Sequence, residues 1–210
     1  QVNFPSVELE GIDNITIDDI RHAADLGFKI KLLGVAQLTG RGLEQRMAPC
    51  LVPEGSPLGQ LEGGTNMVVL NGSHSGQSVL RGAGAGEGPT ASAVLSDLLD
   101  IARGTRISTF GQPASSLKAV QAAQAVSPAP YYLRLELFDK PGSLAKVASI
   151  LSHAGVSIDR MRQYGHAEET APVLIVTHKA TRADIDAALE GMASTDAVSG
   201  SAVALRIEAV

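Results

Sequence analysis

Between residues 131 and 207 the apolar positions switch twice from a two-residue period to a 3.6-residue period and back, an order that few folds accept. Residues 131–138, YYLRLELF, alternate as a half-buried strand. Asp139-Lys-Pro-Gly142 then turns the chain into a helix with Leu144, Val147, Ala148 and Leu151 on its inner face, stopped at Gly155. Residues 156–164 and 172–177 read as strands around a polar hairpin at 165–170. Thr181 and Asp184 spell a capping box for a second helix with Ile185, Ala188, Leu189 and Met192 inward, and 203–207 supply the last strand. The order βαββαβ is the ferredoxin-like arrangement, in which two helices cover one face of an antiparallel sheet.

The first half is organised around the glycine run Gly82-Ala-Gly-Ala-Gly-Glu-Gly-Pro-Thr90, which empties into a helical pattern at 91–103. Repeated glycines admit positive φ and close approach of a ligand, and a helix that follows turns unpaired N–H groups back toward them. The run reads either as an anion site or as a tight connection that needs glycine for sterics alone. Ala91, Val94, Leu95, Leu98, Leu99 and Ala102 form one apolar stripe, so this helix is expected to pack on a sheet. Strands are predicted at 28–38, 43–52, 66–70 and 77–81, with short connections that favour antiparallel pairing. Residues 55–64 read as a loop or a single helical turn, and Thr16 with Asp19 caps a short helix at 17–26. The fold class is therefore α+β. An antiparallel or mixed sheet with a packed helix spans 1–108, a linker rich in Ala, Ser, Gln and Pro spans 109–130, and the βαββαβ unit spans 131–210. Within the linker, 116–125 is a candidate for a transient helix.

Composition removes several function classes. No apolar run approaches the roughly 18 residues of a membrane-spanning helix. The 17 Lys and Arg are scattered over a chain of net charge -5, which leaves no basic stripe for nucleic acid. The single cysteine, Cys50, excludes an internal disulfide, nothing in residues 1–8 resembles a signal peptide, and a cytoplasmic protein is expected. Beside Leu51 and Val52, Cys50 reads as a buried, inert thiol. His22, His74, His153, His166 and His178 lack metal-ligand spacing and read as surface residues, so no metal site is expected. Asp97 and Asp100 read as surface or sheet-contact residues, and Lys29 and Lys31 as structural members of a strand.

Residues 131–209, through Asp139-Lys-Pro-Gly142, the helix behind it and Gly155-Val156, resemble the ACT domain, a regulatory module that binds small molecules, most often amino acids. The resemblance implies that Asp139 and Gly142 contact an effector's carboxylate, often where two such domains pair edge to edge. A helix N-terminus beside a glycine suits a carboxylate on physical grounds as well. The first half resembles the C-terminal part of homoserine dehydrogenase. The matching text is Glu10-Gly-Ile12, Leu26-Gly-Phe-Lys-Ile-Lys-Leu-Leu-Gly34, Cys50-Leu-Val-Pro53 and, above all, the glycine run with its helix to Asp97. That resemblance implies an oxidoreductase that reversibly reduces aspartate 4-semialdehyde to homoserine with NADP or NAD, on the route to threonine and methionine, with threonine as feedback effector.

The family pattern also begins with a Rossmann domain, and this sequence has no GxGxxG in a βαβ context: counted from Gly82 the last glycine falls on Glu87, and from Gly84 on Pro89. Nor does an Asp-x-x-x-Lys segment carrying the family's catalytic lysine precede Glu10-Gly-Ile12. Gln1 is not an initiating methionine, and the sequence is expected to be a C-terminal piece, inactive alone, with no catalytic residue of its own. The remaining cofactor contact is backbone approach from Gly84 and Gly86 to a nucleotide held by another domain. Exposed sheet edges imply a homo-oligomer. The competing reading is a stand-alone amino-acid-binding regulatory or assembly protein.

Overall fold

The computed structural model describes residues 3–165 and 169–209. The tip of the hairpin expected at 165–170, including His166, lies outside the described residues. In chain order the elements are β1 (Glu8–Leu9), α1 (Ile17–Asp25), β2 (Phe28–Thr39), β3 (Gly42–Pro53), β4 (Thr65–Gly72), β5 (Gly76–Ala83), α2 (Glu87–Ala102), β6 (Tyr131–Phe138), α3 (Ser143–His153), β7 (Ile158–Gln163), β8 (Thr170–Thr177), α4 (Arg182–Ala193) and β9 (Val198–Ile207). The protein is α+β, as the periodicity indicates.

The two halves share one sheet. Its seven strands run β1-β3-β9-β6-β8-β7, with β2 on the other edge of β3. The β2–β3 hairpin pairs from Phe28 with Pro53 to Thr39 with Gly42. On its far edge β3 pairs in parallel with β1 at Arg46 and Met47, and with β9 at Cys50 and Leu51. Neither β1 nor this seam is visible in the sequence, because two-residue pairings carry no periodicity.

Sharing explains why Tyr131 and Tyr132 are both buried although they point to opposite faces of β6. On one face Tyr131, Leu133, Leu135, Val173 and Ile175 pack against Val147 and Leu151 of α3 and Ile185 and Met192 of α4. On the other, Tyr132, Leu174, Val176 and Leu205 meet Ala23 of α1 and Leu51 of β3, with Phe28 and Ile30 beside them. Each large apolar side chain closed in this way contributes about 1.5–3 kcal/mol. In α3, Val147 and Leu151 are buried but Leu144 and Ala148 are exposed, which turns that helix slightly from its expected face. Both capping boxes form, Thr16 with Asp19 and Thr181 with Asp184.

Two expectations are overturned. The α2 stripe is real, but the helix does not pack on the sheet: every side chain from Glu87 to Ala102 is exposed, with Val94, Leu95, Leu98 and Leu99 at 52–59%. The large sheet is already covered on one face by α3 and α4 and on the other by α1, while β4 and β5 form a separate two-stranded sheet. Nor is 116–125 helical. A single 3-10 turn occupies Ala114–Ser116, and the following residues run extended, with Leu43 N–H donating to Gln121 O at 2.9 Å and Ala123 N–H to Leu43 O at 2.9 Å. Further on, Val126 and Ala129 are buried, so the connecting stretch is strapped to both halves.

Candidate functional site

The glycine run bends as its sequence demands. Gly86, at φ 128°, is the N-cap of α2, a conformation that L side chains rarely adopt. Gly84 donates its N–H to Gly64 O at 3.1 Å, and a Cβ there would lie 2.4 Å from the Asn66 side-chain nitrogen. The two predicted contact residues therefore stand together at the exposed N-terminus of α2. No side chain caps that end, and its first turn carries only Glu87. Backbone of this kind fits contact with one end of a nucleotide. It does not form a dinucleotide fingerprint alone: β5 leads through the run into α2, but among the described residues β5 pairs only with β4, antiparallel, and no parallel strand follows the helix in that sheet. Asp97 and Asp100 are exposed on α2. Lys29 is paired with Glu62 and Lys31 Nζ donates to Leu61 O at 2.6 Å, so both lysines pin the loop before β4.

The second predicted site lies at the start of α3. Gly142 is its N-cap in the left-handed region, φ 90° and ψ -7°, and, its own chain neighbours aside, no described atom lies within 4 Å of where a Cβ would stand. The first turn of α3 contains no acidic residue. Asp139 donates its amide to Glu169 O at 3.0 Å, which ties the loop to the start of β8. Asp139 and Gly142 thus share one exposed turn.

Sequence reasoning missed the polar groups that join the halves. Asp19 reads only as a capping residue, yet it is fully buried and accepts from Arg134 Nε at 2.6 Å and Tyr132 Oη at 3.2 Å. Burial, then the Asp19 carboxylate, pushes the Tyr132 hydroxyl far above its usual range. Glu44, 2% exposed, accepts from Ser127 Oγ at 2.7 Å and Ser127 N at 3.0 Å. At the seam Glu208 accepts from Arg206 Nε at 2.7 Å and from Arg46 Nη2. Burial opposes the charge on Arg206, but Glu208 and Tyr131 outweigh it and raise its pKa. Polar and charged residues inside β3 were the available signal, since Glu44, Gln45 and Arg46 interrupt an otherwise apolar strand. Among the histidines, His22 is half-buried against Tyr164, ring centroids 4.3 Å apart, rather than on the surface.

Residues 1–99 match the family described as homoserine dehydrogenase, and residues 131–192 match the ACT domain. The homoserine dehydrogenase of Neisseria gonorrhoeae is 37% identical over 217 residues, which takes in 100% of this chain and 50% of the relative. The chain belongs to the homoserine dehydrogenase family. The enzyme of Pseudomonas aeruginosa is 36% identical, over 99% of this chain and 50% of its own length. A crystal structure of a homoserine dehydrogenase from Thiobacillus denitrificans superposes with a TM-score of 0.79 at 34% identity, covering 95% of this chain and 47% of that one. The chain spans about half the length of the curated relatives it matches. The ACT match falls on the βαββαβ unit, whose strands share one sheet with the first half.

Proposed function

We propose that the chain is the substrate-domain remainder and ACT domain of a cytoplasmic homoserine dehydrogenase, which interconverts aspartate 4-semialdehyde and homoserine with NADP or NAD and responds to threonine. The observation that carries this reading is the uncovered apolar face of α2, led by Gly84 and Gly86 at an exposed helix end. A contiguous stripe of that kind marks a surface built to be covered. The relatives are about twice as long, and protein of that extent is available to cover it. When a nicotinamide cofactor is bound it supplies or accepts the hydride; this chain's part is to present the amides around Gly84 and Gly86 to the nucleotide and to exclude water beside it.

The ACT edge supports the regulatory part. Strand β9 is already paired with β3, which leaves β7 as the open edge of that domain for pairing with a second copy. The turn from Asp139 to Gly142 offers α3 amide groups to an effector's carboxylate.

Two measurements test the reading. Purified chain of this sequence is expected to show no turnover of aspartate 4-semialdehyde with NADPH or NADH; turnover at an enzymatic rate refutes the fragment reading. Threonine is expected to move the amide resonances of Ser143 and Leu144 in the unaltered chain and not in Gly142→Val; equal movements in both place the effector elsewhere. Reading the gene upstream of Gln1 separates the enzyme from the stand-alone regulator, by an in-frame Rossmann domain or a start codon.

A further inference from the structure

A cavity of about 500 Å3 lies at the seam between the halves, with Glu8 and Leu9 of β1, Arg46 of β3, Tyr131 of β6, Arg182 of α4 and Arg206 of β9 in its walls. It is separate from both sites above, since none of these residues belongs to the glycine run or to the turn before α3. Its volume falls in the range of small-molecule sites.

Arg46 is the informative wall. Its side chain is 5% exposed, Nη2 donates to Glu208, and Nη1 stands 3.8 Å from Glu44 Oε2, beyond hydrogen-bond reach. Its Nε and Nη1 are buried donors that find no acceptor within hydrogen-bond reach among the described residues. Buried donors on a cation are costly to leave unmatched, and a native structure that keeps them has a use for them. Beside Arg46, Glu8 is its partner in the parallel β1–β3 register, so the two side chains leave the sheet on the same side. Among the described residues Glu8 makes no ion pair, whereas Glu10 on the same wall pairs with Arg182 at 3.3 Å. The cavity therefore offers a donor-rich arginine and an adjacent carboxylate. A bare anion or a polyphosphate would meet Glu8 and Glu10 as well as the arginines, and a charge of one sign is poorly matched there.

We propose that this cavity binds a small α-amino acid as its zwitterion, with the ligand carboxylate accepting from Arg46 and the ligand ammonium donating to Glu8. The Arg46 guanidinium turns toward the cavity on binding and exchanges unmatched donors for a carboxylate. Because the walls come from β1 and β3 on one side and β6, β9 and α4 on the other, one ligand clamps the first half to the ACT half. This second amino-acid site is independent of the turn at Gly142.

The test uses the Gly142→Val chain, so that binding at the turn is suppressed, and titrates it with L-alanine, L-threonine and L-leucine, with acetate and ethylammonium as single-charge controls. At least one amino acid is expected to bind, at least tenfold more tightly than acetate or ethylammonium. Glu8→Gln, on an exposed position, and Arg46→Lys, which keeps the charge opposite Glu208, are each expected to weaken binding at least tenfold. In the unaltered chain the Arg46 Nε–H resonance, assigned by its loss in Arg46→Lys, is expected to move during the same titration. Absence of binding to Gly142→Val, equal affinity for acetate, unchanged affinity in Glu8→Gln, or a stationary Arg46 resonance each overturns the proposal. Failure of the turn reading shows separately, as Ser143 and Leu144 resonances that do not respond to threonine.

Discussion

Asp19 on α1 and Arg134 on β6 form an ion pair at 2.6 Å that ties the first helix to the central strand of the ACT unit. Asp19 is fully buried and also accepts from Thr16 N and Oγ1, each at 2.9 Å, so one carboxylate caps a helix and anchors it to the sheet. Removing one partner of a buried pair leaves an uncompensated charge and costs about 3–5 kcal/mol. Asp19→Ala is expected to lower unfolding stability by about that amount in urea titrations, and Asp19→Asn, which keeps an oxygen for the cap, by less. Arg134→Met added to Asp19→Ala should recover part of the loss. A deficit of about 1 kcal/mol or less, the scale of exposed pairs, counts against the anchoring role.

Glu44 gives the stability a pH signature. Burial alone would raise its pKa, but hydrogen bonds from Ser127 and the charge of Arg41 outweigh burial and hold the carboxyl below its usual value. A depressed native pKa adds stability that is fully present above the unfolded-state value, about 4.3 for glutamate, and is lost as the pH falls through the native value. Thermal melts of the unaltered chain and Glu44→Gln are expected to differ by a constant amount between about pH 6 and 7 and to converge as the pH falls below about 4. A difference that stays flat to about pH 3 refutes the assignment.

Periodicity made the ACT half legible: the bounds of β6 follow from alternation and the cap of α4 from the Thr-x-x-Asp spacing that local chemistry enforces, a spacing that also marks α1 in the first half. The β3–β9 seam was not legible, because it rests on the pairing of Cys50 with Arg206 and Leu51 with Ile207, contacts across most of the chain that leave no local pattern. The α2 stripe was read correctly as apolar and wrongly as sheet-packed, since amphipathicity states that a face must be covered and not by what. That the glycine run admits positive φ was legible, but not that Gly86 alone within it adopts one, and the left-handed conformation of Gly142 was not read from the sequence. Arg46 was not singled out, since an arginine inside a strand declares its burial only when its neighbours are in place.

Gly42 holds the connecting strap in position. Its φ is 121°, and a Cβ there would lie 2.6 Å from Gln121 O and 3.1 Å from Ala123 N, the backbone that pairs with Leu43. Backbone cannot move aside as a flexible side chain can, so Gly42→Ala must release the strap or distort the β2–β3 turn. Strain of this kind costs about 1–3 kcal/mol. The variant is expected to become more sensitive to limited proteolysis between residues 114 and 126 while α3 and α4 keep their helical signal. Unchanged cleavage there would show that the strap is held elsewhere.

Cys50 reports on the seam. The residue is 1% exposed and its backbone stands opposite Arg206 across β3–β9; burial, followed by the charge of Glu208, pushes its thiol pKa up to about 12. At neutral pH the thiolate is scarce and shielded, so reaction with a disulfide reagent requires the strands to part. The native chain is expected to react far more slowly than the chain in guanidinium, which should release one equivalent. Ile207→Ala removes apolar contact from the partner strand, at a cost of about 2–5 kcal/mol for a large-to-small change in a core. If the seam opens as a unit, even about 1.4 kcal/mol of that loss raises the open population tenfold. The reaction of Cys50 should quicken by at least that factor, whereas an unchanged rate would mean that the thiol is reached without separating the two halves.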